Sequence, residues 1–405
     1  MEIAKQRKTS LILIFLGYSC VYLDKTIIGM SIIPMAQDLG IDASQKGLIL
    51  STFFLGYTLF QIPFGYLGNR FGSRKIMIFS VLLIGALMFF LGLGFSLLYV
   101  LLIRFCAGSF AHAGYPSAVS GFITKEVPTD QRGPVQSSMI ASSGFASVVG
   151  PLVAAPCLVA FGWKNTYFIY GIVVSLLAVI MLKGIPQRFG QKMSTKGKNT
   201  NLGLTEVLKD QNVWVLVLSS FFMNAAFYGL TSWQASYLVD TFHLTMGQTS
   251  GLTAAIGAVL MATAMGSGII VKKYFLHREK GFILTAALIG GLAAFATSLT
   301  SNLIVCGFFL AIAVGCAGCA FSTLMSMPVK LFKAEEVSTK YSIINAVGVS
   351  GGFFAPIVMG QLVDLANGSY ASAFIFIAIT FGLSGLIALV IQKKKEAAPL
   401  EMTEN

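Results

Sequence analysis

Asp24, Lys25 and Arg104 are the residues best placed to do chemistry, because each lies within a long apolar stretch. None of the other acidic or basic residues, out of 16 and 28, is placed this way. A charge at bilayer depth costs from a few to more than about ten kcal/mol, so it must face a cavity or a partner. A guanidinium offers a planar fork that matches a carboxylate, and an ammonium adds a mobile point charge. Together Lys25 and Arg104 would hold an organic anion. Helical spacing places Tyr18, Tyr22, Lys25 and Gly29 on one face, and Arg104, Gly108, Ala111 and Tyr115 on another. Asp24 has two roles open to it: a proton carrier that titrates as the site alternates, or a fixed counter-ion to one of the bases. An ion pair that merely locks two helices is the bland alternative.

The second half of the sequence carries no charge at such depth. It offers Asn224, Tyr228 and Thr231 at helical spacing, then Trp233 and Gln234. Such a stripe suits recognition of hydroxyls on a sugar acid, although polar side chains also bridge membrane helices by packing alone. Asn345, Ser350, Ser322, Ser326 and Gln61 are weaker candidates of the same kind.

The elements that must position these residues are membrane helices. With 56% hydrophobic and only 11% charged residues in a chain of 405, polar side chains are too few to cover a soluble core. A crossing helix needs about 20 apolar residues. Spans are expected near 10–35, 45–67, 76–95, 97–123, 134–160, 165–182, 213–238, 249–272, 281–299, 301–327, 340–363 and 371–391. The fold class is therefore all-α, with twelve transmembrane helices in two six-helix bundles. Residues 1–182 form the first bundle, 183–212 a cytoplasmic linker and 213–405 the second bundle with a short tail. The apolar run after Lys5, Arg7 and Lys8 has no small-residue cleavage site and is expected to stay as the first span.

Apart from the two intramembrane bases, every Lys and Arg except Lys46 and Lys164 falls on one side of this topology. By the positive-inside rule that side, with both termini, is cytoplasmic. The net charge of +12 thus reflects membrane orientation, and the basic clusters lack the helix or stacking platform of a nucleic-acid binder. The six cysteines have no metal-ligand or disulfide-framework spacing. No metal site, cofactor motif, phosphate loop or catalytic constellation stands out. The two halves repeat weakly: Gly144 to Pro151 resembles Gly348 to Pro356, as in carriers whose bundles flank a central path.

After the second span comes Gly65-Tyr-Leu-Gly-Asn69-Arg70-Phe-Gly72-Ser-Arg74-Lys75. It resembles the loop motif of the major facilitator superfamily, with Asn69 where that family has Asp. The resemblance implies a major facilitator fold and a gating loop made by Gly65, Asn69, Arg70, Gly72 and Arg74. Tyr22-Leu-Asp24-Lys25, Arg104-Phe-Cys-Ala-Gly108 with Tyr115-Pro-Ser-Ala118, and Trp233-Gln-Ala-Ser-Tyr237-Leu are similar to stretches of the anion:cation symporter family.

That likeness implies proton-coupled transport of an organic anion such as a sugar acid. Lys25, Arg104, Tyr18, Tyr22, Tyr115, Asn224, Tyr228 and Asn345 would bind substrate, and Asp24 and His112 would handle protons. Where the family usually carries a coupling Glu, this chain has Ala111. His112 stands beside it but is turned roughly 100° away on a regular helix. The expected protein is a monomeric, multi-pass carrier in a bacterial cell membrane, whose partners are a small organic anion, protons and the lipid bilayer. Anion exchange and a transporter-like sensor are the alternatives; drug efflux and a membrane enzyme fit the residues less well.

Overall fold

The computed structural model describes residues 2–128, 131–189, 207, 209–332 and 334–392, and among these no strand occurs. In chain order the helices are α1 (Glu2–Leu39), α2 (Ala43–Phe71), α3 (Ser73–Leu91), α4 (Leu97–Cys106), a π-helical turn (Ala107–His112) and α5 (Tyr115–Glu126). They continue with α6 (Arg132–Gly184), α7 (Gln211–Phe242), α8 (Met246–Tyr274), α9 (Glu279–Thr297) and α10 (Leu303–Leu331). Last come α11 (Ala334–Val349), α12 (Gly351–Leu365) and α13 (Ala371–Leu389). A chain without water around it can satisfy its backbone only within such helices or in a closed barrel. Their starts are set by side-chain caps. Asn302 accepts from the amides of Ile304 and Val305 at 2.9 and 3.2 Å, and Thr245 and Gln248 form a reciprocal capping box at the head of α8.

Eleven helical segments among the described residues are long and apolar enough to cross a membrane, where the sequence led us to expect twelve. The difference lies in α6, whose apolar part runs for 44 residues, about twice the length one crossing needs. Its backbone breaks at Gly162 (φ 71°, ψ 169°), a conformation open mainly to glycine. The expected loop between the fifth and sixth spans is thus this single kinked residue. Large apolar side chains such as Ile304 (82% exposed), Ile269 and Val159 point outward along the helices, as lipid contact requires.

Helices α1 and α3 pack on α6, while α9 packs on α10 and α13, and α8 on α10. Four pairs join the earlier helices to the later ones, α2 with α12 and α6 with α8 most extensively, then α1 with α7 and α2 with α11. At one end the α2–α12 contact is very close. A Cβ on Gly47 would lie 2.3 Å from the Pro356 carbonyl oxygen, and one on Gly360 would lie 2.4 Å from that of Ala43. There Asp364 of α12 caps α2 from the other half of the chain. Its carboxylate accepts the amides of Ala43 and Ser44 at 3.1 and 2.7 Å, and also the Ser44 hydroxyl. Lys46 adds an ion pair to Asp240 at 3.9 Å, and the Tyr370 hydroxyl donates to the same carboxylate at 2.7 Å.

This end is therefore sealed by a helix cap. Loss of such a cap costs about 1 kcal/mol. Asp364→Ala should shift the protein roughly five-fold toward arrangements with this end open, by that cost. Distances between spin labels at Ile41 and Ala366 should then gain a longer population. An unchanged distribution would show that the cap does not hold the seal.

Candidate functional site

Three buried groups meet where α1 crosses α4 and the π turn. Asp24, Arg104 and His112 are 2%, 2% and 0% exposed. Arg104 Nη1 donates to Asp24 Oδ2 at 3.4 Å, and His112 Nε2 lies 3.0 Å from the same oxygen. The imidazole contact is close but poorly aligned, so neither ring nitrogen makes a well-directed hydrogen bond, and Arg104 Nε has no partner either. Among the described residues these are a carboxylate, a guanidinium and an imidazole turned toward one another, with spare donor capacity left over.

The π turn explains how His112 joins them. On a regular helix His112, eight residues after Arg104, would be displaced by roughly 80° from it, while Ala111 would be nearly in line. An i→i+5 turn absorbs one extra residue. His112 then takes the angular place that Ala111 would have held, facing Asp24. The sequence expectation that His112 points away is corrected by this one-residue shift of register.

Lys25 stands apart from its neighbour. One residue on from Asp24, it turns to another face of α1 and is only half-buried. Its Nζ lies 4.5 Å from the Tyr57 ring centre, 5.3 Å from Tyr22 and 5.4 Å from Phe53. Among the described residues no Asp or Glu oxygen lies within ion-pair distance of it. Phe53 is fully buried between the two cations: the Arg104 guanidinium sits 4.8 Å from its ring centre, and the His112 ring meets it edge-on at 4.8 Å. Aromatic faces stabilise both cations without neutralising them.

The other expected substrate residues divide into two groups. Tyr22 is half-buried beside Lys25, and Tyr228, half-buried on α7, packs its ring 4.3 Å from Phe54 of α2, so the later helices meet the earlier ones here. Asn345 is half-buried on α11. Tyr115, by contrast, is fully buried, and its hydroxyl donates to the Ile14 carbonyl at 2.9 Å. It fastens α5 to α1 and is spent on packing. Tyr18 is 5% exposed and stacks on Tyr22 at 5.2 Å, which supports the binding wall from behind. Asn224 is 1% exposed and commits its amide nitrogen to the Ser220 carbonyl at 2.8 Å.

The expected gating loop is in part a brace. Gly72 (φ 90°) makes the turn into α3, and the side chain of Arg74 runs to the end of α6. Its Nε and Nη2 donate to the carbonyls of Ile185 and Leu182 at 2.7 and 2.6 Å. Arg74 thereby serves the unpaired carbonyls at a helix C-terminus within the first half, and does not bridge the halves. Arg70 is exposed, and the side chains of Gly65 and Asn69 fall outside the described residues.

Sequence reasoning missed Phe53, Tyr57 and Tyr341. Phe53 and Tyr57 share a face of α2 at i, i+4, a signal available in the sequence. Tyr341, 36% exposed on α11, lies close enough to Tyr22 and Tyr57 to interact electrostatically, and nothing local marked it.

Comparison with known proteins agrees with this architecture. The sequence pattern of the Major Facilitator Superfamily matches residues 14–356. The assigned metabolite transport protein NicT of Pseudomonas putida is 24% identical, covering 89% of this chain and 87% of its own. An assigned tartrate transporter of Agrobacterium vitis is 25% identical, covering 94% and 92%. The nitrite extrusion protein of Bacillus subtilis is 26% identical, covering 86% and 85%. Among solved structures, a bacterial homologue of the human lysosomal transporter Spinster, in an inward-facing and occupied conformation, superposes with a TM-score of 0.82. It covers 95% of this chain and 96% of its own at 17% identity, a likeness of fold. The protein belongs to the Major Facilitator Superfamily and is a multi-pass membrane transporter, not an enzyme.

Proposed function

We propose that the protein carries an organic anion across the cell membrane by alternating access, coupled to protons. The observation that carries this reading is Lys25, a half-buried ammonium with no carboxylate partner among the described residues, beside a second cation already engaged by Asp24. An uncompensated charge at this depth is most economically explained as the seat of a transported counter-charge. The names of the relatives, a tartrate transporter and a nitrite extruder among them, point to anions as well.

In this reading twelve spans form two six-helix bundles, 1–182 and 213–405, joined by the linker 183–212, with both termini in the cytoplasm. The end sealed by Asp364 then faces outward, and the protein works as a monomer open toward the cytoplasm. Asp24 and His112 exchange the coupled proton because they share one buried contact, and Arg104 senses which of them carries charge. Rocking of the bundles would break the Asp364 cap and expose Lys25 to the other side.

Uptake into proteoliposomes under an imposed pH gradient tests the proposal. Carboxylate uptake should accelerate when the outside is acid and lose that acceleration in Asp24→Asn. Flux that ignores the gradient but rises with internal anion would replace symport by exchange. Absence of any anion flux would overturn the carrier reading.

A further inference from the structure

We infer that the carried anion is a monovalent carboxylate built on a flat, weakly hydrated ring, rather than a dicarboxylate or a polyhydroxy acid. This rests on the anion-carrier reading above.

Charge balance supplies the first argument. Asp24 and Arg104 face each other and cancel, leaving Lys25 as the uncompensated charge of the site. The later helices bring no spare cation to it. Among the described residues, Lys330 pairs with Glu279 at 2.8 Å, and Lys340 pairs with Asp210 and Glu336 at 2.6 and 2.9 Å. While the Asp24–His112 contact carries no added proton, one carboxylate on Lys25 neutralises the site, and a second would then be buried without a partner, which is strongly unfavourable.

The walls supply the second argument. Around the ammonium stand the rings of Tyr22, Phe53 and Tyr57. The Phe54–Tyr228 pair extends this surface from α2 to α7. Such a surface stacks well on a planar ring. A sugar acid would surrender the water on several hydroxyls, and each needs a replacement donor or acceptor. Two of the amides that sequence reasoning reserved for this task are buried: Asn224 is 1% exposed and gives its amide nitrogen to the Ser220 carbonyl, and Gln234 is 4% exposed. The groups directly around the Lys25 ammonium are the aromatic rings of Tyr22, Tyr57 and Phe53.

A set of probes that separates charge from ring tests this. The purified full-length protein is titrated with benzoate, gluconate, phthalate, glucarate and benzamide, and the ligand-induced rise in Tm is read as half-saturation. Benzoate should saturate at a concentration about ten-fold below gluconate and phthalate, the scale expected from one stacked ring or one unpaired charge. Benzamide should give no shift, and Lys25→Gln should abolish the shift with benzoate. Tyr57→Leu should weaken benzoate more than it weakens gluconate, and an equal loss for both would overturn the ring argument. Stronger stabilisation by gluconate or glucarate than by benzoate would overturn the ring or single-charge argument yet leave an anion carrier standing. Equal shifts with benzamide and benzoate would overturn the charge argument. Silence from all four anions would overturn this inference and the carrier reading together.

Discussion

Lys25→Gln should weaken anion binding by about 100-fold, the loss expected when one partner of a buried charge-assisted contact is removed. Its thermal stability should stay close to that of the parent. The two outcomes go together because Lys25 has no ion-pair partner to strand. Glutamine keeps most of the aliphatic stem against Tyr57 and Phe53 but lacks the charge. Ligand-free Tm and ligand-induced Tm shift, measured on the same sample, separate them. A variant that binds as tightly as the parent would move the site elsewhere, and one that unfolds would make Lys25 a structural residue.

Arg104 and Asp24 should behave in the opposite way. Replacing either with alanine leaves the other charge buried at 2% exposure without its partner. Each single change should cost about 3–5 kcal/mol, whereas replacing the pair by apolar residues of similar volume should be nearly neutral. The cycle Asp24→Leu, Arg104→Met and the double variant, read by thermal unfolding in detergent, measures this directly. Strict additivity would mean that the 3.4 Å contact carries no coupling. If the double variant folds but carries nothing, the pair is needed for transport and not for architecture.

Much of the architecture was legible in the sequence because the membrane enforces one rule over most of the chain. Apolar runs of crossing length and the Gly65–Lys75 motif together suffice for the all-helical major facilitator fold. The three intramembrane charges were legible for the same reason, since each violates that rule. The division of labour among them was not. Sequence spacing placed Lys25 beside Arg104 as joint anion ligands, but the chain inserts Phe53 between them and gives Arg104 to Asp24. That wedge comes from α2, and no local pattern in α1 or α4 encodes it. Tyr115 shows the same limit: its helical face was legible, but the partner of its hydroxyl across that face, a backbone carbonyl of α1, was not. Nothing in the sequence marks Asp364, because its function as a cap exists only once α2 is packed against it.

The extra residue accommodated at Ala107–His112 also changes how this chain should be lined up with its relatives. Matching letter for letter puts Ala111 in the slot where the symporter family usually has an acid, and suggests that the proton-handling group has been deleted. Counting the extra residue of the π turn opens a one-position gap within the segment and would set His112 in that slot. In the proposed coupling a base of similar reach would then stand in for that acid, and the proton relay would run with inverted polarity: the unloaded form neutral and the loaded form positive.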